Sequence, residues 1–350
     1  MVILYILTFG MTLFLSLMLT PIIRDVSIEM KWVDKPNQRK VNVRPVPLLG
    51  GIAIYAAFAI PLLILLPAGK FVYDINKLYG LLGGSFVIFM AGIHDDIKGL
   101  TPRRKLFYQI TASMIAYVSG YTINLIRNPF GEPLQFPFLI SIAVTTFWIV
   151  GFTNAVNLLD GLDGLAAGIS AIVAGSLFFF ALAVGNALMA LLSVALIGST
   201  LGFLRYNFYP AKIFMGDSGS MFLGYVLSLI AIEGSYKGAT FVTVLLPVIA
   251  MAVPVLDTGL AIVRRLASGK GIFKADKEHI HHKLLLKEGS QKRAVLTLYS
   301  LTICFGLIAI GLSGIKGVWA HAGMAVTAVL TVRWVINHGL LDFVRNGFSK

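Results

Sequence analysis

The chain has 350 residues, of which 57% are hydrophobic and only 13% charged, and its mean hydropathy is +0.84. A soluble chain of this length needs far more polar surface to cover its core, so the composition excludes a soluble globular protein and predicts a polytopic membrane protein. The net charge of +13 then reads as orientation and contact with anionic lipid rather than nucleic-acid binding. Cys304 is the single cysteine, which excludes an intrachain disulfide and a thiolate metal centre.

A membrane-spanning helix needs about 20 mostly apolar residues. The predicted spans are 2–23, 46–66, 78–93, 106–126, 134–153, 164–184, 187–204, 218–232, 239–262, 294–315 and 317–336, eleven in all. The first lacks a basic leader and reads as a span rather than a cleaved signal. The uncharged run 164–204 must hold two helices, with Gly185-Asn186 as the turn. Pro247 and Pro254 predict a kink in the ninth span, because each removes a helix hydrogen bond. Spans 78–93 and 218–232 look short and place Asp95, Asp96 and Asp217 near the membrane interface. With the N-terminus outside and the C-terminus cytoplasmic, inner segments carry 24 Lys and Arg and outer loops five. That asymmetry predicts the orientation. The chain reads as all-α and as one transmembrane domain over 1–350, with cytoplasmic loops 24–45, 94–105, 154–163, 205–217 and 263–293.

Four polar stretches interrupt this pattern. The first, Asn154-Ala-Val-Asn-Leu-Leu-Asp-Gly-Leu-Asp-Gly164, sets Asn154, Asn157, Asp160 and Asp163 at a spacing of three. Neighbours in such a series share a helix face, and the Asp-Gly steps predict that the backbone turns before the series ends. No Lys or Arg lies between Arg127 and Arg205, so counter-charges must come from elsewhere in the fold or from a metal. Asp163 also suits the N-cap of the next helix. The second is His94-Asp95-Asp96: adjacent carboxylates repel and call for a cation or a shared proton, with Lys98, Arg103, Arg104 or Lys105 as nearby partners. In the third, Phe214-Met-Gly-Asp217-Ser-Gly-Ser220, Asp217 stands among small residues at a helix start. It reads as a metal or phosphate contact, or as a helix N-cap. The fourth is His279-Ile-His-His282 beside Arg264 and Arg265. Its positive field suits phosphate rather than a metal ion, and the plain reading is a solvated cluster.

Five inner carboxylates (Asp95, Asp96, Asp160, Asp163, Asp217) within a basic rim suit a divalent cation that holds a polyphosphate. Oxygen and amide ligands favour Mg²⁺ or Mn²⁺, and the chemistry predicted is phosphoryl transfer. A transporter would place polar groups near the bilayer midplane, and the sparse outer loops argue against one. An alcohol-phosphatidyl transferase of the CDP-alcohol class would carry an Arg after its Asp-Gly series, where Gly164-Leu-Ala-Ala-Gly168 has none.

The motifs, together with Val33-Asp-Lys-Pro-Asn37, Arg39-Lys40 and Pro47-Leu-Leu-Gly-Gly51, resemble those of the polyprenyl-phosphate N-acetylhexosamine-1-phosphate transferases, relatives of the phospho-N-acetylmuramoyl-pentapeptide transferase. The resemblance covers nearly the whole chain. The His-Ile-His-His form is similar to the branch that uses UDP-N-acetylglucosamine; Asn42 departs from a His in some relatives. The resemblance implies a multi-pass plasma-membrane enzyme with its active site on the cytoplasmic face, using Mg²⁺ (or Mn²⁺), a UDP-amino sugar and undecaprenyl phosphate, and acting as a homodimer in cell-envelope polysaccharide synthesis. It implies that Asp95 and Asp96 are catalytic and that Asp217 and Asn157 are metal ligands. It implies that Asp160, Asp163, Asn207 and Phe214 shape the nucleotide pocket, and that Arg265, His279, His281 and His282 hold the diphosphate or sugar. Lys40, Arg44 and Lys98 become further phosphate contacts. Direct attack and a covalent aspartyl-phosphate both remain open. Asp257 reads as an intramembrane acid paired with Arg264 or Arg265, or as a lipid-phosphate contact.

Overall fold

The computed structural model describes residues 1–34, 36, 44–68, 74–126, 132, 134–237, 248–249, 251–253, 255, 280–312 and 333. These form α1 (Val2–Glu29), α2 (Gly50–Ala68), α3 (Ile75–Lys98), α4 (Pro102–Val118), α5 (Phe138–Leu159), α6 (Leu165–Ala183), α7 (Ala187–Asn207), α8 (Gly216–Lys237), α9 (Ile280–Glu288) and α10 (Gln291–Leu312). Two short antiparallel ribbons join them: β1 (Val33–Asp34) with β2 (Val46–Pro47), and β3 (Leu125–Ile126) with β4 (Leu134–Gln135). Among the described residues six helices are long and apolar enough to cross a membrane: α1, α3, α5, α6, α7 and α10. The protein is a polytopic membrane protein. All but a few residues of spans 239–262 and 317–336 lie outside the described residues, as do Pro247, Pro254 and Asp257.

Helix ends follow local chemistry. Asp74 caps α3 by accepting from Asn76 N at 2.9 Å, and Thr101 precedes Pro102 at the start of α4, the favoured place for proline. The run 164–204 does divide in two: Gly185 takes a φ of +67° and Asn186 caps α7 by accepting from Met189 N at 3.1 Å. Charges mark helix ends less faithfully. Helix α3 runs 24 residues, through His94, Asp95 and Asp96, and α8 runs 22, so neither is the short segment predicted. The predicted loops 94–105 and 154–163 shrink to Gly99–Thr101 and Asp160–Gly164. The acids remain helical because a neighbouring helix supplies their partners.

Helix α8 is the hub and packs on α2, α3, α5, α6 and α7. Its core face carries Met221, Phe222, Tyr225, Val226 and Leu229, all fully buried. Backbones meet where side chains vanish: a Cβ on Gly92 of α3 would lie 2.3 Å from Ser218 Cα, and one on Gly51 of α2 would lie 2.2 Å from Gly219 N. Helix α1 packs on α7 and α2, with Thr8, Thr12, Ser16 and Thr20 inward and Ile3, Ile6 and Phe14 outward. Helices α9 and α10 pack on each other, and α10 lies on α6.

Candidate active site

The site lies where the C-terminal ends of α3 and α5 meet the N-terminal ends of α4 and α8. Asp96 comes first, because it fixes the frame. Its Oδ1 accepts from Asp217 N at 2.7 Å and its Oδ2 from Ser218 N at 3.1 Å. A carboxylate from α3 thus closes the start of α8, at the positive end of that helix's dipole. Gly216 makes the approach feasible: its φ is +70°, and a Cβ there would lie 2.4–2.7 Å from the Asp96 carboxylate. With both oxygens committed, Asp96 orients Asp217.

Asp95 points elsewhere. Its Oδ1 accepts from Leu100 N at 2.6 Å, and its Oδ2 lies 3.0 Å from Lys105 Nζ. Lys105, on the first turns of α4, also bonds Asp217 Oδ2 and donates to Asn157 Oδ1 at 3.0 Å. Asn157 Nδ2 in turn donates to Asp217 Oδ1 at 2.8 Å and to Ser220 Oγ at 2.9 Å. One ammonium therefore sits among oxygens from three helices. A turn along α4, Gln109 exchanges hydrogen bonds with Asn154 at 2.9 and 3.1 Å, so Asn154 serves packing between α4 and α5.

Opposite charges this close attract by about 4 kcal/mol per pair at an effective dielectric constant of 20, while desolvation costs several kcal/mol per ion. The cluster gains the fold little, and its residue choice answers to chemistry. The donor set also fits a hard divalent cation: carboxylate oxygens of Asp217 and Asp95 and the Asn157 amide oxygen converge on one cation. Among the described residues no group of three or more His, Cys, Asp or Glu is placed to ligate a metal.

The turn after α5 completes one wall. Asp160 is the C-cap of α5; burial first, then the negative charges of Asp217, Asp96 and Asp163, pushes its carboxyl from 3.8 up to about 8. Asp163 does not cap α6. The N-cap is Gly164, with no side-chain bond, and Asp163 Oδ2 instead accepts from Ala211 N at 2.9 Å. Asn207 is buried; its Oδ1 accepts from Gly164 N at 3.1 Å and its Nδ2 donates to Ile213 O at 2.9 Å. Both residues therefore hold the turn and the 208–215 loop together. Phe214 is half-buried and engages by backbone, donating to Pro47 O and accepting from Gly50 N. Lys98 and Arg44 are exposed. Lys40, Arg265 and His279 lie outside the described residues, as do the side chains of His281 and His282, whose backbones form the first turn of α9.

Lys105 is the residue whose role the sequence underplays. It figured there only as one of four counter-charges for the Asp95–Asp96 pair. The available signal was its spacing of four from Gln109 on α4, which mirrors the spacing of three between Asn154 and Asn157 on α5.

The profile of glycosyl transferase family 4 matches residues 78–235, the interval that contains Asp95, Lys105, Asn157 and Asp217. The chain is 38% identical over 86% of its length to a probable undecaprenyl-phosphate N-acetylglucosaminyl 1-phosphate transferase of Bacillus subtilis (strain 168), of which 83% is covered. It belongs to this family, the polyprenyl-phosphate N-acetylhexosamine-1-phosphate transferases. A decaprenyl-phosphate N-acetylglucosaminephosphotransferase of Mycolicibacterium smegmatis is 38% identical over 83% of this chain and 76% of that relative. A phospho-N-acetylmuramoyl-pentapeptide-transferase of Oceanobacillus iheyensis is 33% identical over 90% of this chain and 96% of its own length. This family member shares with all three an alignment that runs well beyond the acid cluster.

Proposed function

We propose that this protein transfers N-acetylglucosamine-1-phosphate from UDP-N-acetylglucosamine to undecaprenyl phosphate, releasing UMP, as the initiating step of a cell-envelope polysaccharide. The observation that carries the reading is the convergence of Asp95, Asn157 and Asp217 oxygens on the Lys105 ammonium, in a chain similar to transferases of this chemistry. The resemblance of His279-Ile-His-His282 favours N-acetylglucosamine over the muramoyl-pentapeptide substrate.

In the reaction, an oxygen of the lipid phosphate attacks the phosphorus that bears the sugar. The bond from that phosphorus to the bridging oxygen breaks, and UMP leaves with that oxygen. Asp217 and Asn157 would hold Mg²⁺, with Asp95 at its edge. Bound there, Mg²⁺ supplies charge neutralisation on the diphosphate and on the departing UMP. Lys105 adds a fixed positive charge facing the same oxygens. Asp95 takes the proton of a monoprotonated lipid phosphate, while Asp96 keeps Asp217 aimed. Asp160 and Asp163 form the nucleotide wall, and the sequence resemblance gives the diphosphate or sugar to Arg265, His279, His281 and His282. The excess of Lys and Arg on one set of loops supports a cytoplasmic site.

The deciding experiment is UMP release by the purified protein with Mg²⁺, undecaprenyl phosphate and a panel of UDP-sugars that includes UDP-N-acetylglucosamine and UDP-N-acetylmuramoyl-pentapeptide. Turnover with the first alone is expected. Folded protein that turns over none of them refutes the reading, and turnover with the pentapeptide alone reassigns the substrate. Exchange of labelled UMP into the UDP-sugar without lipid would replace direct attack by a covalent aspartyl-phosphate.

A further inference from the structure

Helix α10 reaches the site region through one side chain. Tyr299 Oη donates to Gly164 O at 2.5 Å. Its ring occupies a notch left by Gly168, where a Cβ would lie 1.9 Å from the hydroxyl and 2.0 Å from Cζ. The Phe208 ring flanks it at a centroid distance of 6.5 Å. Gly164 O already accepts from Gly168 N at 2.9 Å, so the tyrosine bond is additional to what α6 itself requires. The same residue is held from another direction, since Gly164 N donates to Asn207 Oδ1 at 3.1 Å. Its φ of +77° admits few residues besides glycine. The turn that carries Asp160 and Asp163 is thus gripped by α7 on one side and α10 on the other.

Only Gly289 and Ser290 separate α10 from α9, and α9 begins inside the His279–His282 motif. We propose that Tyr299 is a positioning residue that fastens the α9–α10 pair to the Asp160–Gly164 turn. It thereby fixes the position of the turn that carries Asp160 and Asp163 at the nucleotide sugar. This inference rests on the reading of the protein as a UDP-sugar transferase. Packing alone would need only a flat ring at Gly168. The hydroxyl adds direction, because it binds the one carbonyl at the hinge between the turn and α6.

Tyr299→Phe keeps the ring and removes the bond. In the full-length enzyme, the KM for UDP-N-acetylglucosamine should rise about 10-fold, the worth of one directed hydrogen bond. The KM for undecaprenyl phosphate should stay constant, and kcat should change far less than the nucleotide KM. The Kd for UDP alone, measured by calorimetry, should rise in parallel. Gly168→Ala, whose Cβ would displace the ring together with its hydroxyl, should reproduce the pattern. A wild-type nucleotide KM and UDP affinity in Tyr299→Phe would overturn the proposal. So would equal shifts in both substrates' KM values, the mark of a general packing defect. If the wild-type protein neither binds UDP nor releases UMP, the transferase reading fails instead.

Discussion

Two adjacent aspartates divide their labour. Asp96 has both oxygens on backbone N–H groups of α8, whereas Asp95 Oδ2 meets a side-chain ammonium that can yield to another cation. Asp95→Asn should abolish UMP release while leaving the melting temperature near wild type. Asp96→Asn should lower both, because one of its two acceptors becomes a donor facing an N–H. Lys105→Met leaves Asp95 and Asp217 without their shared cation, and activity should fall at least about 100-fold, in line with the loss of one preorganised charge contact. Asp160 titrates in the opposite sense to a salt-bridged acid. Held near 8 in the folded protein against 3.8 otherwise, it binds a proton on folding between those values. Its contribution to stability is therefore present at low pH and lost as pH rises toward 8. In chelator, the melting temperature of wild type should drop more between pH 5 and pH 8 than that of Asp160→Asn; equal drops would contradict the shift.

Helix pairing is governed by glycines at close approaches. Gly92 would place a Cβ 2.3 Å from Ser218 Cα and 2.7 Å from Asp217 C. Gly92→Ala must push α3 from α8 at the point where Asp96 grips Asp217, so activity should vanish while helical content by circular dichroism persists. Gly83→Ala, whose Cβ would meet Ile115 Cγ2 at an ordinary 3.6 Å, is the matched control and should remain active. Sequence resolved these elements unevenly. The two helices in 164–204 and the turn at Gly185-Asn186 were legible because no charge obscured the apolar run. The lengths of α3 and α8 were not, because a hydropathy window ends at the first acid, whereas Asp95, Asp96 and Asp217 stay helical once they bond across helices. Asp163 fitted a cap by pattern, yet its acceptor went to Ala211, a choice that depends on a loop 48 residues on.

Across the molecule, α3 and α8 run antiparallel and are pinned at both ends. Asp96 ties one end, and Lys77 Nζ meets Glu233 Oε2 at 2.6 Å at the other. Asn186 Nδ2 brings the α6–α7 turn onto Glu233. The side chains of Lys77 and Glu233 are only 14% and 9% exposed, so removal of one partner strands a buried charge, a loss on the order of 3 kcal/mol. Lys77→Met should lower the melting temperature clearly, and Lys77→Met with Glu233→Met should restore much of it. Failure of the double variant to recover would show that the pair does more than neutralise itself. The acid series and the polytopic membrane character were readable from spacing and composition. The assignment of Lys105 was not, because its three partners come from positions 95, 157 and 217 and meet only after four helices assemble.

That assembly has a biosynthetic consequence. Every residue of the acid cluster lies between Asp95 and Ser220, and the basic motif that begins near Arg264 leaves the ribosome later. The nascent chain must therefore bring Asp95 and Asp217 together at their helix ends before that motif is made. Lys105 carries its positive charge within the same four helices, so Asp95 and Asp217 share a counter-charge as soon as those helices assemble.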